Sequence, residues 1–206
     1  HFVNCTGLTA EGHVTSAYDI ALMSRELLLH HPAVRNYTTI WMDTLRNGTF
    51  GLSNTNKLIR FYDGATGLKT GFTREAGYCI SATAERDGME LIAVIMKGTT
   101  SDSRNADAKT LLNYGFSTYT LLDVQPEEPL PALPVTLGRG ESVSLTLPEE
   151  GHTLLVEKSQ AAGLQQTIDL PESLAAPVRA GDPVGTLCVS RDGETLLTVP
   201  ILAAET

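Results

Sequence analysis

Cysteine is scarce in this chain and scattered. Cys5, Cys79 and Cys188 form no Cys-x-x-Cys pair, and an odd, dispersed set fits neither a disulfide framework nor a zinc site. Buried apolar thiols are the ordinary reading of such positions. Long apolar runs are missing too: the longest, Leu91–Met96, falls far short of the ~20 residues a membrane-spanning helix needs. Positive charge is short, with 15 Lys and Arg against 24 Asp and Glu and a formal charge of −9. That balance, with no basic run, repels phosphate backbones, so no nucleic-acid partner is expected. No glycine-rich phosphate loop is present. His13, His30, His31 and His152 form no His-x-x-x-His or carboxylate cluster, so they read as surface histidines and no metal is expected on them. The initiator methionine is absent as well. The chain opens His1-Phe2-Val3-Asn4, in mid-pattern, which predicts an internal start with a secretion signal and an upstream segment before it.

What is present divides in two. The 206 residues, 42% of them hydrophobic, can bury a core as one domain or two small ones. Ser16 with Asp19 three residues on reads as a capping box. Ala17, Ile20, Ala21, Ser24, Leu27 and Leu28 then share one helical face until His31-Pro32. Thr38–Leu45 is β-prone, Arg46-Asn47-Gly48-Thr49 a turn, and Ser53–Lys57 a polar loop. Ala65–Thr70 reads as a short strand. Gly77–Arg86 and Met89–Lys97 form a hairpin across Asp87-Gly88. Ala108, Leu111, Leu112, Gly115, Phe116 and Tyr119 predict a helix from about Arg104 to Tyr119. Four prolines between Gln125 and Pro134 mark a stiff linker. Beyond it come short strands at Val143–Leu147, Thr153–Lys158 and Leu164–Leu170, then a hairpin of Val184–Ser190 with Thr195–Ile201 across Asp192-Gly193. The expected fold class is α+β: an antiparallel sheet covered by helices over residues 1–122, a linker over 123–134, and a small all-β sandwich over 135–206.

The chemistry concentrates at Lys69-Thr70-Gly71. Alone, these three residues equally describe a strand end with a solvated lysine. Yet each type suits a strand that clamps a short peptide ending in a carboxylate. Lys69 offers a fixed positive charge, and Thr70 a hydroxyl beside it. Gly71 has no Cβ, so a substrate backbone can approach and pair along the strand.

The surroundings are similar to one family. Phe2-Val3-Asn4 with Gly7-Leu8, Thr15–Asp19, Asn54-Thr55-Asn56-Lys57-Leu58, Asp63-Gly64 through Lys69-Thr70-Gly71, Ala76-Gly77-Tyr78 and Leu91–Met96 leading to Arg104 closely resemble the low-molecular-mass penicillin-binding proteins, serine-type D-alanyl-D-alanine carboxypeptidases. The Pro-rich break and Ala180–Gly185 look like that family's C-terminal domain. The resemblance implies a penicillin-binding/β-lactamase-like sheet and removal of the terminal D-Ala from peptidoglycan stem peptides through a serine acyl-enzyme, without a cofactor. Lys69 is then the catalytic residue, and Thr70, Gly71 and Arg104 bind substrate. Arg104 would add positive charge around the carboxylate of D-Ala-D-Ala or a β-lactam; its other reading is a surface salt bridge at a helix start. Phe72 stands where some members carry His. The implied location is the extracytoplasmic face of the bacterial cytoplasmic membrane, or secretion. Peripheral membrane association is expected through a C-terminal helix that Ile201–Thr206 does not supply.

Two of the family's motifs are missing. No Ser has a Lys three residues later, so the Ser-x-x-Lys nucleophile is absent. Thr66–Lys69 fits the pattern only with Thr, and strand alternation would put those side chains on opposite faces. Ser103-Arg104-Asn105 matches Ser-x-Asn by letter but follows the Lys-Thr-Gly instead of preceding it. The expectation is that both motifs lie upstream, that the chain pairs with the upstream half of its own catalytic domain, and that alone it is not acylated. The alternatives are a non-catalytic module binding peptidoglycan or a partner protein, and, among enzymes, a serine β-lactamase, against which the trailing β-domain argues.

Overall fold

The computed structural model describes residues 1–138 and 140–204. It divides into two compact units, His1–Ser117 and Thr118–Thr206. Glu205 and Thr206, on which the expectation of a missing C-terminal anchor partly falls, lie outside the described residues. No helix among the described residues is long and apolar enough to cross a membrane.

In the first unit, α1 (Ala17–His30) starts where the sequence predicts. The Ser16 side chain accepts from Asp19 N–H, and the Asp19 carboxylate accepts from Ser16 N–H. This reciprocal pair satisfies donors that the first turn otherwise leaves open. The short α2 (Arg35–Thr38) leads to a hairpin of β1 (Met42–Leu45) and β2 (Phe50–Ser53). A single turn, α3 (Leu58–Phe61), precedes the main sheet. That sheet has the order β3 (Ala65–Thr73), β4 (Gly77–Arg86), β5 (Met89–Gly98), antiparallel throughout. Asp87 and Gly88 both take positive φ, as a two-residue hairpin turn requires. β3 runs three residues past its expected end, to Thr73, because Gly71, Phe72 and Thr73 still pair with Cys79, Tyr78 and Gly77.

β4 is buried from Ile80 to Ala84 without alternation, since both faces of the sheet are covered. On one face Ser24 of α1 meets Ser81, Oγ to Oγ at 2.7 Å. On the other lies α4 (Ser101–Thr118), where Gly115 leaves room for Leu91, the cross-strand partner of Ala84. α4 begins three residues before the apolar spacing suggests. Thr100 and Ser103 bond each other's backbone N–H in a second capping box (3.1 and 3.0 Å), which carries the helix back to Ser101. Arg35 joins these parts. Its guanidinium pairs with Glu90 of β5 and donates to Leu28 O of α1 at 3.3 Å.

The second unit is β-rich. β6 (Tyr119–Asp123) pairs antiparallel with β10 (Thr153–Glu157). A three-stranded sheet has the order β12 (Leu174–Ala175), β7 (Leu133–Thr136), β8 (Ser142–Val143). A four-stranded sheet has the order β11 (Gln165–Asp169), β13 (Pro183–Arg191), β14 (Glu194–Ala203), β9 (Leu145–Thr146). Val124, Leu187, Val189, Val199 and Ile201 form its main apolar cluster, and Leu133, Val143 and Ala203 a second. The expected strand Val143–Leu147 is two short strands serving different sheets. The boundary also differs from the expected 122. Tyr119–Asp123 pairs with β10, so the chain enters the second unit before the Pro-rich segment, which runs inside that unit and does not link the two.

Candidate functional site

Lys69, Thr70 and Gly71 sit in the middle of β3, an edge strand of its sheet. β4 backs them, with Lys69 opposite Ser81, Thr70 opposite Ile80 and Gly71 opposite Cys79. Lys69 and Gly71 are exposed, and a Cβ built on Gly71 would meet nothing within 4 Å. Backbone can therefore approach this edge freely. The Lys69 ammonium donates to the Thr70 carbonyl.

The preceding loop is pinned to the same strand. Asn54 Nδ2 donates to Ile40 O at 2.9 Å, and Asn54 Oδ1 accepts from Asn56 N–H at 2.9 Å. Asn56, 2% exposed, donates through Nδ2 to Gly67 O at 2.8 Å and accepts from Leu58 N–H at 3.1 Å. Between these two anchors Thr55 has one place to go, and its Oγ1 lies 2.6 Å from Thr70 Oγ1. Thr55 is the site residue that sequence reasoning passed over. Its signal was the asparagine on either side, a side chain that readily bonds nearby backbone and fixes a loop; which strand the loop would meet was not in the sequence.

Arg104 departs most from its surface reading. It is 3% exposed, and among the described residues it pairs with no carboxylate. Nε and Nη2 donate to Asn105 Oδ1 at 3.2 and 3.0 Å, and Nη1 to Cys79 O at 3.3 Å. Cys79 is the strand partner of Gly71, so the guanidinium bonds the backbone immediately behind the glycine. Gly98 makes room for it: a Cβ there would stand 3.1 Å from Arg104 Cβ. Burial lowers the Arg104 pKa, though a guanidinium remains protonated at any ordinary pH. The surface salt bridge is thus replaced by a buried cation held only by neutral acceptors.

The near-matches to the missing motifs are engaged elsewhere. Ser103 Oγ belongs to the α4 cap and also contacts Thr100 O at 3.1 Å. A register shift between Ala65 and Gly67 interrupts the alternation expected of β3. What removes Thr66 is its surroundings: its hydroxyl lies 2.8 Å from Thr83 Oγ1 and 3.1 Å from Glu90 Oε1. Phe72, 57% exposed, stacks on Tyr78 with ring centroids 4.4 Å apart.

Comparison with known proteins gives a consistent result. Residues 1–100 match the family described as D-alanyl-D-alanine carboxypeptidase, and residues 120–206 match the C-terminal domain of penicillin-binding protein 5. The D-alanyl-D-alanine carboxypeptidase DacF of Bacillus subtilis is 36% identical, across 99% of this chain and 53% of its own length. A penicillin-binding protein 5 structure from Haemophilus influenzae superposes with a TM-score of 0.70, over 97% of this chain and 58% of that one, at 24% identity, which bears on the fold alone. A penicillin-binding protein from Listeria monocytogenes, solved in its cefotaxime-bound form, is 38% identical over 56% of this chain and 47% of its own, with a TM-score of 0.52. The chain spans about half the length of the curated relatives it matches.

Proposed function

Because this chain belongs to the low-molecular-mass penicillin-binding proteins of the D-alanyl-D-alanine carboxypeptidase family, we propose that β3 is the substrate-clamping strand of a serine acyl-enzyme site. In the full-length gene product that site removes the terminal D-Ala from peptidoglycan stem peptides, outside the cytoplasm, and is acylated by β-lactams. The observation that carries this reading is the buried Arg104, bonded to the backbone behind Gly71 and hydrogen-bonded to no carboxylate among the described residues. A buried cation with no carboxylate hydrogen-bonded to it among the described residues is costly, and the nearby Asp102 offsets that cost only through its charge. Here the cation adds to Lys69 a standing positive potential at a strand edge open to an extended peptide. A substrate carboxylate neutralises that charge on binding.

The roles follow from position. Gly71 lets the substrate backbone pair with β3. Thr70 Oγ1, held by Thr55, donates to the terminal carboxylate. Lys69 supplies charge to that carboxylate and, in the acylating protein, hydrogen-bonds the hydroxyls that relay the nucleophile's proton. The nucleophile itself comes from a Ser-x-x-Lys that these 206 residues do not contain, so the chain alone forms no acyl-enzyme.

The test is covalent labelling with a fluorescent penicillin. Full-length product should be labelled, Lys69→Ala and Thr70→Ala should each cut the labelling rate at least about a hundredfold, and the 206-residue chain should show no mass adduct. A folded full-length protein that takes no label would replace this reading with a non-catalytic peptidoglycan- or partner-binding module.

A further inference from the structure

The second unit holds an open groove of about 470 Å³. One wall is the Pro-rich segment from Gln125 to Leu130, the other is Leu145–Pro148, and His152 completes the lining. The two walls cannot zip together. β9 is an outer strand of its sheet and, among the described residues, pairs only with β14, so the far edge of Leu145 and Thr146 has no ladder partner there. The segment facing it forms no strand, and Pro126 and Pro129 have no N–H to give. The result is a slot with an open β-edge along one side and an apolar base from Leu130 and Leu147, which pack on the main cluster of the unit.

Charge identifies what the slot suits. Glu127 and Glu128 line it, and Glu149 and Glu150 lie between the lining residues Pro148 and His152. All four are exposed, and none pairs with a basic group of the described residues. The field is general to this unit. Residues 118–206 carry 13 acidic against 4 basic residues, while residues 1–117 carry 11 of each, so the whole formal charge of −9 resides here. A second copy of the chain would bring the same acidic rim and be repelled, as would an anionic lipid or polyphosphate surface.

We propose that this groove docks an extended segment of a partner protein bearing lysine or arginine at alternate positions. The segment adds a strand to the free edge of β9 and sets its basic side chains against Glu127, Glu128, Glu149 and Glu150. Backbone pairing supplies the register and the acidic rim selects the partner.

The test uses the 206-residue chain and fluorescence anisotropy with a labelled peptide of about ten residues alternating Lys and Val. The expected result is saturable binding that weakens steeply between about 50 and about 500 mM salt. The Glu127→Gln, Glu128→Gln double variant should lose about fivefold in affinity. The same charge change at Glu172 and Glu194, outside the groove lining, should cost less than about twofold. N-methylation of alternate peptide bonds in the probe should abolish binding. Exposed positions make all these variants safe for folding, and near-ultraviolet circular dichroism verifies it. Several results would overturn the proposal: no binding up to about 1 mM peptide, equal binding of the matching Glu–Val peptide, equal losses from both double variants, or self-association of the chain that the Glu127 and Glu128 changes abolish.

Discussion

Asn56 offers the sharpest way to perturb the site without touching it. Its side chain is 2% exposed and makes two bonds, to Gly67 O at 2.8 Å and from Leu58 N–H at 3.1 Å. Asn56→Ala deletes both and leaves a buried carbonyl and a buried N–H without partners. Stranding each costs about 1–3 kcal/mol. Leu58 N–H, in the first turn of α3, has no intrahelical partner to fall back on, and losing such a cap bond costs about 1 kcal/mol. The expected total is about 3 kcal/mol. The one tryptophan, Trp41, reports on this unit alone: its carbonyl accepts from Asn54 N–H at 2.8 Å, and its ring meets Phe61 edge-on at 6.0 Å. With a urea slope of about 1.5 kcal/mol/M, the Trp41 fluorescence midpoint should fall by about 2 M. Asn56→Asp discriminates further. It keeps the acceptor for Leu58 but sets a carboxylate oxygen against Gly67 O, so burial raises the new group's pKa in the folded chain. Such a group contributes stability at low pH and loses it as pH rises through the folded value, so this variant should be near wild type at about pH 4 and well below it at pH 7. A midpoint shift under about 0.3 M for Asn56→Ala, with no pH dependence for Asn56→Asp, would refute the claim that this side chain fastens the loop to β3.

Two other consequences can be checked with the same protein. Burial is the largest cause of the raised Tyr62 pKa, the Arg86 charge opposing it, and the phenol donates to Asn113 Oδ1 at 2.8 Å. A raised folded value means the stabilisation is complete below the unfolded pKa of about 10 and is lost above it; the Trp41 urea midpoint should fall between about pH 9.5 and 11, and Tyr62→Phe should flatten that fall, an unchanged slope refuting the assignment. In the second unit, a Cβ on Gly185 would stand 2.5 Å from Asp169 O, a backbone atom that cannot turn aside; Gly185→Ala should cost about 1–3 kcal/mol and speed amide exchange in β11 and β13 at least about tenfold, leaving the Trp41 transition in place.

Local chemistry made much of this fold legible. The Ser16–Asp19 cap and the Asp87-Gly88 and Asp192-Gly193 turns are fixed by neighbouring residues, and Asp87, Gly88, Asp192 and Gly193 all take the positive φ that such turns demand. What escaped notice depended on distant partners. Tyr119 reads as the end of a helix and Thr120–Asp123 as no element at all until β10, some thirty residues later, pairs with Tyr119–Asp123. Leu133–Thr136 is hidden by Pro134, which survives in a strand because only Ser142 of β8 faces it, the β12 ladder starting at Val135. The site divides the same way. Lys69-Thr70-Gly71 could be found from its residue types. The burial of Arg104 depends on the missing side chain of Gly98, and the meeting of Thr55 with Thr70 depends on two asparagines bonding backbone of α2 at Thr38, α3 at Leu58 and β3 at Gly67.

The place where the chain passes from one unit to the other bears on how it can be taken apart. Proteolysis or truncation is naturally aimed at the proline-dense stretch after Gln125, which looks like a hinge. A cut there would carry β6 away with the first unit and strip β10 of the one strand partner it has among the described residues. The released C-terminal piece would expose a raw strand edge of the kind that seeds aggregation. Severing the chain between Ser117 and Thr118 keeps that pair whole. The eight residues from Thr118 to Gln125 therefore decide whether the acidic half survives as a soluble reagent.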